Sequence, residues 1–346
     1  MLGMVVVSLL ATVIGIAISL SIDWFPTQAS TAAEDIDLLW DVLLIASVPI
    51  FVLVMSAAIY SVLLFRAKPG DLSDGAPIHG NTKLEIVWVT IPFIMVSVLA
   101  GYGWVVLDDI EEKQANDMVI NVTAQQFAWR FDYPDEGKVK SNQLVLPKDR
   151  PVEFQVRTED VLHSFWVPEF RLKTDAVPGI TTKIRVTPSR LGEYEVVCAE
   201  LCGLGHATMR QNVRVLSQQE FDTWVSEEQE EEQGDQASAA GGNQASQGKR
   251  VFTEDGCAAC HSLADANSAS GIGPGLDDLG DTARRMGKRH GQSPAEYVRA
   301  AIADPDASLT KDFNAGLMPT DFEKRLSPAE IDTLVKYLLS VSGGGK

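Results

Sequence analysis

The run Cys198-Ala199-Glu200-Leu201-Cys202-Gly203-Leu204-Gly205-His206-Ala207-Thr208-Met209 sets two thiols, an imidazole and a thioether at the spacing Cys-x3-Cys-x3-His-x2-Met. Soft sulfur donors combined with imidazole select copper over hard cations. A further histidine stands upstream in Val161-Leu162-His163-Ser164-Phe165. One copper needs fewer ligands than this set offers, whereas two thiolates and two imidazoles can hold two coppers with both sulfurs bridging. On spacing alone a disulfide or a zinc site is an alternative, but neither makes use of Met209.

Working outward, the run follows a strand at Tyr194 to Val197 and lies in a region where apolar residues recur every second position. Phe127, Trp129, Phe131 and Tyr133 alternate with Ala128, Arg130 and Asp132; Val152-Phe154-Val156, Ile184-Val186 and Val213-Val215 repeat the pattern, with Pro and Gly between them. Short strands punctuated in this way predict an all-β Greek-key sandwich or barrel over residues 117–217.

Upstream, Met1–Ile22, Val42–Phe65 and Ile86–Leu107 carry no charged side chain. A membrane span needs about 20 apolar residues, and the second and third stretches meet that test, predicting a helical hairpin over 33–116 with spans at about 42–65 and 86–107. The first stretch, within residues 1–32, reads equally as a cleaved signal peptide or an extra transmembrane helix. Arg66, Lys68 and Lys83 lie between the second and third stretches, while Asp23 to Asp41 and Asp108 to Glu112 contain acids and no base. The positive-inside rule then places everything after Asp108 on the outer face.

Downstream, residues 217–247 hold eight acids and no basic residue, and Glu, Gln, Ala, Ser and Gly dominate from Ser226 to Gly248. So few apolar groups predict an acidic, flexible tether over 218–247. Beyond it the pattern turns helical: Ser293-Pro294-Ala295-Glu296 and Ser327-Pro328-Ala329-Glu330 each pair an N-cap serine with Pro and Glu in the first turn. An all-α domain is therefore predicted over 248–346. It contains Cys257-Ala258-Ala259-Cys260-His261, in which two thiols one helical turn apart form thioethers to haem and the next histidine ligates iron. Of the two methionines downstream, Met286 sits among Arg284, Arg285, Lys288 and Arg289, which suits a solvated helix; Met318, in Gly316-Leu317-Met318-Pro319, is the expected sixth ligand. The net charge of −18 offers no basic face for phosphate, which argues against nucleic acid and for a basic protein partner.

From about Asp35 to Leu216 the chain resembles subunit II of cytochrome c oxidase, on the cysteine run, Leu162-His163-Ser164 and Leu172-Lys173-Thr174-Asp175-Ala176-Val177-Pro178-Gly179. The resemblance implies a cupredoxin-like domain holding a dinuclear copper A centre. Cys198 and Cys202 would bridge, His163 and His206 would each bind one copper, Met209 would be axial and Glu200 would give its backbone carbonyl. The family's glutamate at the place of Glu200 also helps hold magnesium at the border with subunit I. Lys83-Leu84-Glu85-Ile86-Val87-Trp88 resembles the stretch where a glutamate marks the mouth of a proton pathway; the plainer reading of Glu85 is an acid in a helix's first turn. One departure matters. The family usually has Gln-Trp-x-Trp, with the first Trp receiving electrons, whereas this chain has Gln126-Phe127-Ala128-Trp129, leaving Phe127 and Trp129 as the candidates.

Lys249 to Val341 resembles a class I cytochrome c, in which the carbonyl of Pro274 would accept a hydrogen bond from His261. Copper domain, tether and haem c domain in this order resemble the cytochrome-fused caa-type oxidases of bacteria. This implies a chain of the bacterial inner membrane that takes electrons from an external cytochrome c or a bc-type complex and passes them to the oxygen-reducing subunit I, with subunit III as a further partner. The oxygen site itself is elsewhere, because His79 and His290 are the only histidines left over. The alternatives are the equivalent subunit of a copper-containing nitric oxide reductase and a copper-delivery or redox protein without a catalytic partner.

Overall fold

The computed structural model describes residues 2–66, 69–70, 74, 77, 79–114, 116–240, 244–266, 268, 273–307 and 309–343. Lys68 of the expected inner turn and residues 241–243 of the expected tether lie outside the described residues. The chain forms two units, Met1–Lys113 and Gln114–Lys346.

The first unit holds helices α1 (Leu2–Leu20), α2 (Thr31–Phe65) and α3 (Thr82–Glu111). All three are long and apolar enough to cross a membrane. Large apolar side chains along them face outward, such as Phe65, Phe93 and Trp104, as expected where hydrocarbon replaces water as solvent. Helix α2 begins well before its uncharged stretch, because Ser30 Oγ caps the Ala33 amide at 3.1 Å and starts the helix among Glu34, Asp35 and Asp37. In α3 Asn81 Oδ1 accepts from the Leu84 amide at 3.2 Å while Glu85 Oε1 accepts from the Asn81 amide at 3.1 Å. Glu85 is thus engaged in closing the helix start.

The second unit begins with two five-stranded sheets. One runs in the order β3-β2-β1-β5-β8, from β1 (Met118–Gln125), β2 (Ala128–Tyr133), β3 (Val139–Ser141), β5 (Val152–Thr158) and β8 (Thr182–Val186). The other runs β4-β10-β9-β6-β7, from β4 (Leu144–Pro147), β6 (His163–Trp166), β7 (Lys173–Ala176), β9 (Gly192–Cys198) and β10 (Arg210–Leu216). The pairings β1–β5 and β4–β10 are parallel and the rest antiparallel. Inward side chains such as Ile120, Val122, Phe131, Phe154, Val196 and Val213 fill the sandwich.

Tyr133 is fully buried and ties the sheets together: its hydroxyl donates to Val145 O at 3.1 Å and accepts from the Val145 amide at 2.8 Å. Burial raises the hydroxyl's pKa far above its usual value, so it stays a donor. Tyr133→Phe would leave both backbone groups unsatisfied and should cost about 1–3 kcal/mol. The check is the denaturant midpoint of the β-domain; an unchanged midpoint would show that Val145 finds other partners.

The expected coil over 218–247 is not what the structure shows. Helix α4 (Gln218–Ala240) leaves the sandwich directly, and its first turns bury Phe221, Trp224 and Val225. Trp224 packs edge-on to Tyr133 with ring centroids 5.1 Å apart. Composition averaged over the acidic stretch hides these three apolar residues at i, i+3 and i+4, which give the helix start one buried face. Helices α5 (Gln244–Glu254), α6 (Cys257–Cys260), α7 (Leu279–His290), α8 (Pro294–Ala303), α9 (Phe322–Arg325) and α10 (Pro328–Val341) follow. Both Ser-Pro-x-Glu signals form complete capping boxes. Val251, Phe252, Tyr297, Ile302, Leu334, Val335 and Leu338 make the core of this helical domain.

Candidate functional site

The hairpin between β9 and β10 carries the cysteine run. Backbone pairing brings its ends together, the Cys198 amide donating to Met209 O at 3.1 Å, and the Ala199 amide donating to Ser164 O at 2.9 Å fastens it to β6. His163, at the start of β6, is thereby set beside Cys198. The donors converge: Cys198 Sγ lies 3.7 Å from Cys202 Sγ and 3.8 Å from His163 Nδ1, and Cys202 Sγ lies 3.7 Å from His206 Nδ1 and 3.8 Å from Met209 Sδ. The carbonyl oxygen of Glu200 is 3.1 Å from Cys198 Sγ.

This geometry separates the readings that spacing left open. A disulfide needs sulfurs about 2.05 Å apart, so the two cysteines are not bonded to each other. A structural zinc ion takes four ligands, while five soft or borderline donors and one carbonyl oxygen are linked here through the two cysteine sulfurs. The set fits a pair of coppers, which Cys198, Cys202, His163, His206, Met209 and the Glu200 carbonyl would hold. Cys198 is held well below the usual thiol range, first by the hydrogen bond from Cys202, against the opposing effect of burial. Cys202 is raised in consequence. Metal binding would release the protons that the two thiols hold.

Asp160 was not singled out from the sequence. Its Oδ1 is 2.8 Å from His163 Nε2, which leaves Nδ1 aimed at Cys198 with its lone pair free for a metal. Such a carboxylate partner fixes the ring's tautomer and orientation. Burial works against a charged His163, yet its bonds to Asp160 and Cys198 raise its pKa on balance. The other Asp160 oxygen accepts from the Gln126 amide at 2.6 Å. Gln126, the first residue of the run that stands for the family's Gln-Trp-x-Trp, donates from Nε2 to the Cys202 carbonyl at 2.6 Å. A lone aspartate belongs to no motif even three positions from its histidine, and Gln126 acts on Cys202 from 76 positions away.

Phe127 is buried against the same loop. A Cβ built on Gly205 would stand 2.4 Å from the Phe127 ring and one on Gly203 3.1 Å from it, so only glycine allows the loop to lie on this ring. Trp129 is buried too, with its ring centroid 6.2 Å from that of His163 and 5.7 Å from that of Phe165.

In the helical domain, α6 is a single turn that puts Cys257 and Cys260 on one side, with His261 directly after it. His261 Nδ1 lies 2.8 Å from the Pro274 carbonyl, which makes that nitrogen the donor and leaves Nε2 free. A Cβ on Gly273 would stand 2.8 Å from the imidazole, so the backbone there approaches as only glycine permits. Cys257, Cys260, His261, Pro274 and Met318 line one largely apolar cavity, and these residues would hold a haem there. Met286 does not line it and packs on the core instead. Burial pushes the Cys257 thiol up to about 12 and the Cys260 thiol up to about 11, so both are neutral and poorly suited to thiol–disulfide exchange.

Comparison with known proteins agrees with both halves of this arrangement. Residues 6–106 match the transmembrane domain of cytochrome c oxidase subunit II, residues 138–216 its periplasmic domain, and residues 245–342 cytochrome c. Cytochrome c oxidase subunit 2 of Alkalihalophilus pseudofirmus is 34% identical, covering 82% of this chain and 81% of that protein. The same subunit of Bacillus subtilis is 30% identical over 83% of each. Among solved structures, the periplasmic domain of subunit II of cytochrome oxidase of Bradyrhizobium japonicum shares 31% identity, with a TM-score of 0.33, covering 34% of this chain and 96% of that one. With the transmembrane, copper-site and cytochrome segments matched in order and relatives aligned over most of their length, the chain belongs to the cytochrome c oxidase subunit II family, in the form that carries a cytochrome c domain.

Proposed function

We propose that this chain collects electrons from an external cytochrome c or a bc-type complex at its helical domain and hands them, through the cysteine hairpin of its β-domain, to subunit I. Membership of the family makes it the electron-transfer subunit of a haem-copper oxidase, with subunit I as partner, copper in the β-domain and haem in the helical domain. When bound, the copper pair and haem c supply one-electron chemistry at two nearby points. The convergence of Cys198, Cys202, His163, His206 and Met209 carries the reading.

In this reading Cys198, Cys202, His163, His206, Met209 and the Glu200 carbonyl would together hold the copper pair, with the two thiolates shared between the ions. Cys257 and Cys260 anchor haem, His261 ligates its iron with Pro274 orienting the ring, and Met318 is the sixth ligand. The side chain of Glu200 would hold magnesium at the subunit I border. Glu85 is assigned to the mouth of a proton pathway, although the hydrogen bond it makes to the Asn81 amide is enough to explain its place. Trp129 and Phe127 flank the copper hairpin as aromatic carriers. The hydrophobic helices pass through a bacterial inner membrane more than once, with both metal domains outside, and subunit III completes the complex.

Metal analysis of the purified complex, with oxygen and nitric oxide consumption measured side by side, tests this. Two coppers and one covalent haem per copy of this chain, with oxygen as the acceptor, are expected. Zinc in place of copper, or turnover of nitric oxide alone, would sink it.

Met209→Leu should keep both coppers but raise their potential, because losing a thioether removes electron donation that favours the oxidised pair. The expected shift is on the order of 60 mV, the span of a tenfold change in a one-electron equilibrium. A redox titration of the copper spectrum reads it, and an unshifted titration would remove Met209 from the ligand set.

A further inference from the structure

The helical domain meets the β-domain at the β1–β2 corner, and there the contacts are specific. Gln125 closes β1 and is 2% exposed, and its Oε1 accepts from Arg325 Nη1 of α9 at 2.9 Å. Arg325 is itself held, its guanidinium carbon 4.5 Å above the Phe322 ring and its Nε 3.3 Å from Asp321 Oδ1. Gly256, immediately before the haem-attachment turn, abuts the same β1–β2 corner: a Cβ there would lie 2.8 Å from Gln125 Nε2 and 3.0 Å from Ala128 Cβ. On the other side of the corner, Gln126 and Phe127 line the cavity that also holds Cys257, Cys260, His261 and Met318. Gln126 in turn reaches the Cys202 carbonyl at 2.6 Å.

The geometry points to Arg325 as a positioning residue: its bond to Gln125 docks the helical domain in the one pose where Gln126 and Phe127 form a wall of the haem cavity. This rests on the reading of the two metal centres given above. In that pose a single side chain, Gln126, spans from the cavity wall to the backbone of a copper-bridging cysteine, so the electron leaving haem meets a bonded route to the copper pair. Neither Gln125 nor Arg325 touches either centre, and their role is alignment. A hydrogen bond from a charged donor to a buried amide is among the stronger neutral-to-charged contacts, and its loss should lower the docking equilibrium about tenfold or more.

The test uses the intact oxidase complex carrying Arg325→Ala, Gln125→Ala or both. In the oxidised state the copper pair and a low-spin haem each carry an unpaired electron, so the haem speeds relaxation of the copper signal at short range and reports their separation independently of turnover. The wild type should show one strong enhancement. Each single variant should weaken it and slow haem-to-copper electron transfer about tenfold, with haem content and the copper spectrum unchanged. The double variant should be no worse than either single one, since both remove the same bond. Arg325→Lys, which keeps a donor, should restore part of both readouts. Unchanged relaxation in the single variants, or losses that add in the double one, would overturn the docking role. A wild-type complex without a two-copper signal would instead overturn the metal assignment on which it rests.

Discussion

Cys202→Ser should yield a chain that still inserts, still attaches haem and no longer holds a copper pair. The serine oxygen is a hard, protonated donor that cannot bridge two soft ions, and its loss breaks contacts to Cys198, His206 and Met209 together. Changes to residues that merely orient a metal's ligands already cost 10–100-fold in affinity or activity, so removal of a bridging sulfur should lower oxygen consumption by at least about a hundredfold. Electron paramagnetic resonance of the purified complex reads the outcome directly. A delocalised two-copper signal surviving in this variant would refute the bridging assignment.

The second large effect belongs to the helical domain. In a variant with Cys257→Ala and Cys260→Ala, no thioether can form, and the cavity loses its covalent occupant. The apolar walls of a cavity of about 250 Å³ then lose the group they would pack against, a large loss for a domain of this size. Residues 244–342 should therefore lose fixed packing while the β-domain keeps its copper. Haem staining after denaturing electrophoresis should be absent. Turnover with a cytochrome donor should fall about a hundredfold, and a small reductant that reaches copper directly should retain most of its rate. Covalent haem in the double variant would show that other residues attach it.

Much of this was readable in the chain itself. The three apolar stretches coincide with helices, because charge exclusion over some 20 residues has few other causes. The two Ser-Pro-x-Glu starts formed their boxes, being local signals within one turn. Motif spacing brought out the cysteine hairpin because its members lie within a dozen positions. What spacing could not bring out were partners that only the fold pairs: Asp160 behind His163, close in sequence but part of no motif, Gln126 behind Cys202, and Gln125 against Arg325, 200 positions apart. Each is a common residue type whose meaning comes only from what the fold sets beside it. The start of α4 was hidden for a different reason. Three apolar side chains were outvoted by the acidic composition around them, although their spacing matched one helical face.

Phe127, Gly203 and Gly205 are fitted to one another so closely that none has room to change alone. Grafting a bulkier aromatic from a relative, or giving either glycine a side chain, would push the hairpin off its bed. In this chain the three positions set the hairpin's height above the sandwich, so Gly205→Ala should disturb the copper site without touching any residue that would hold it.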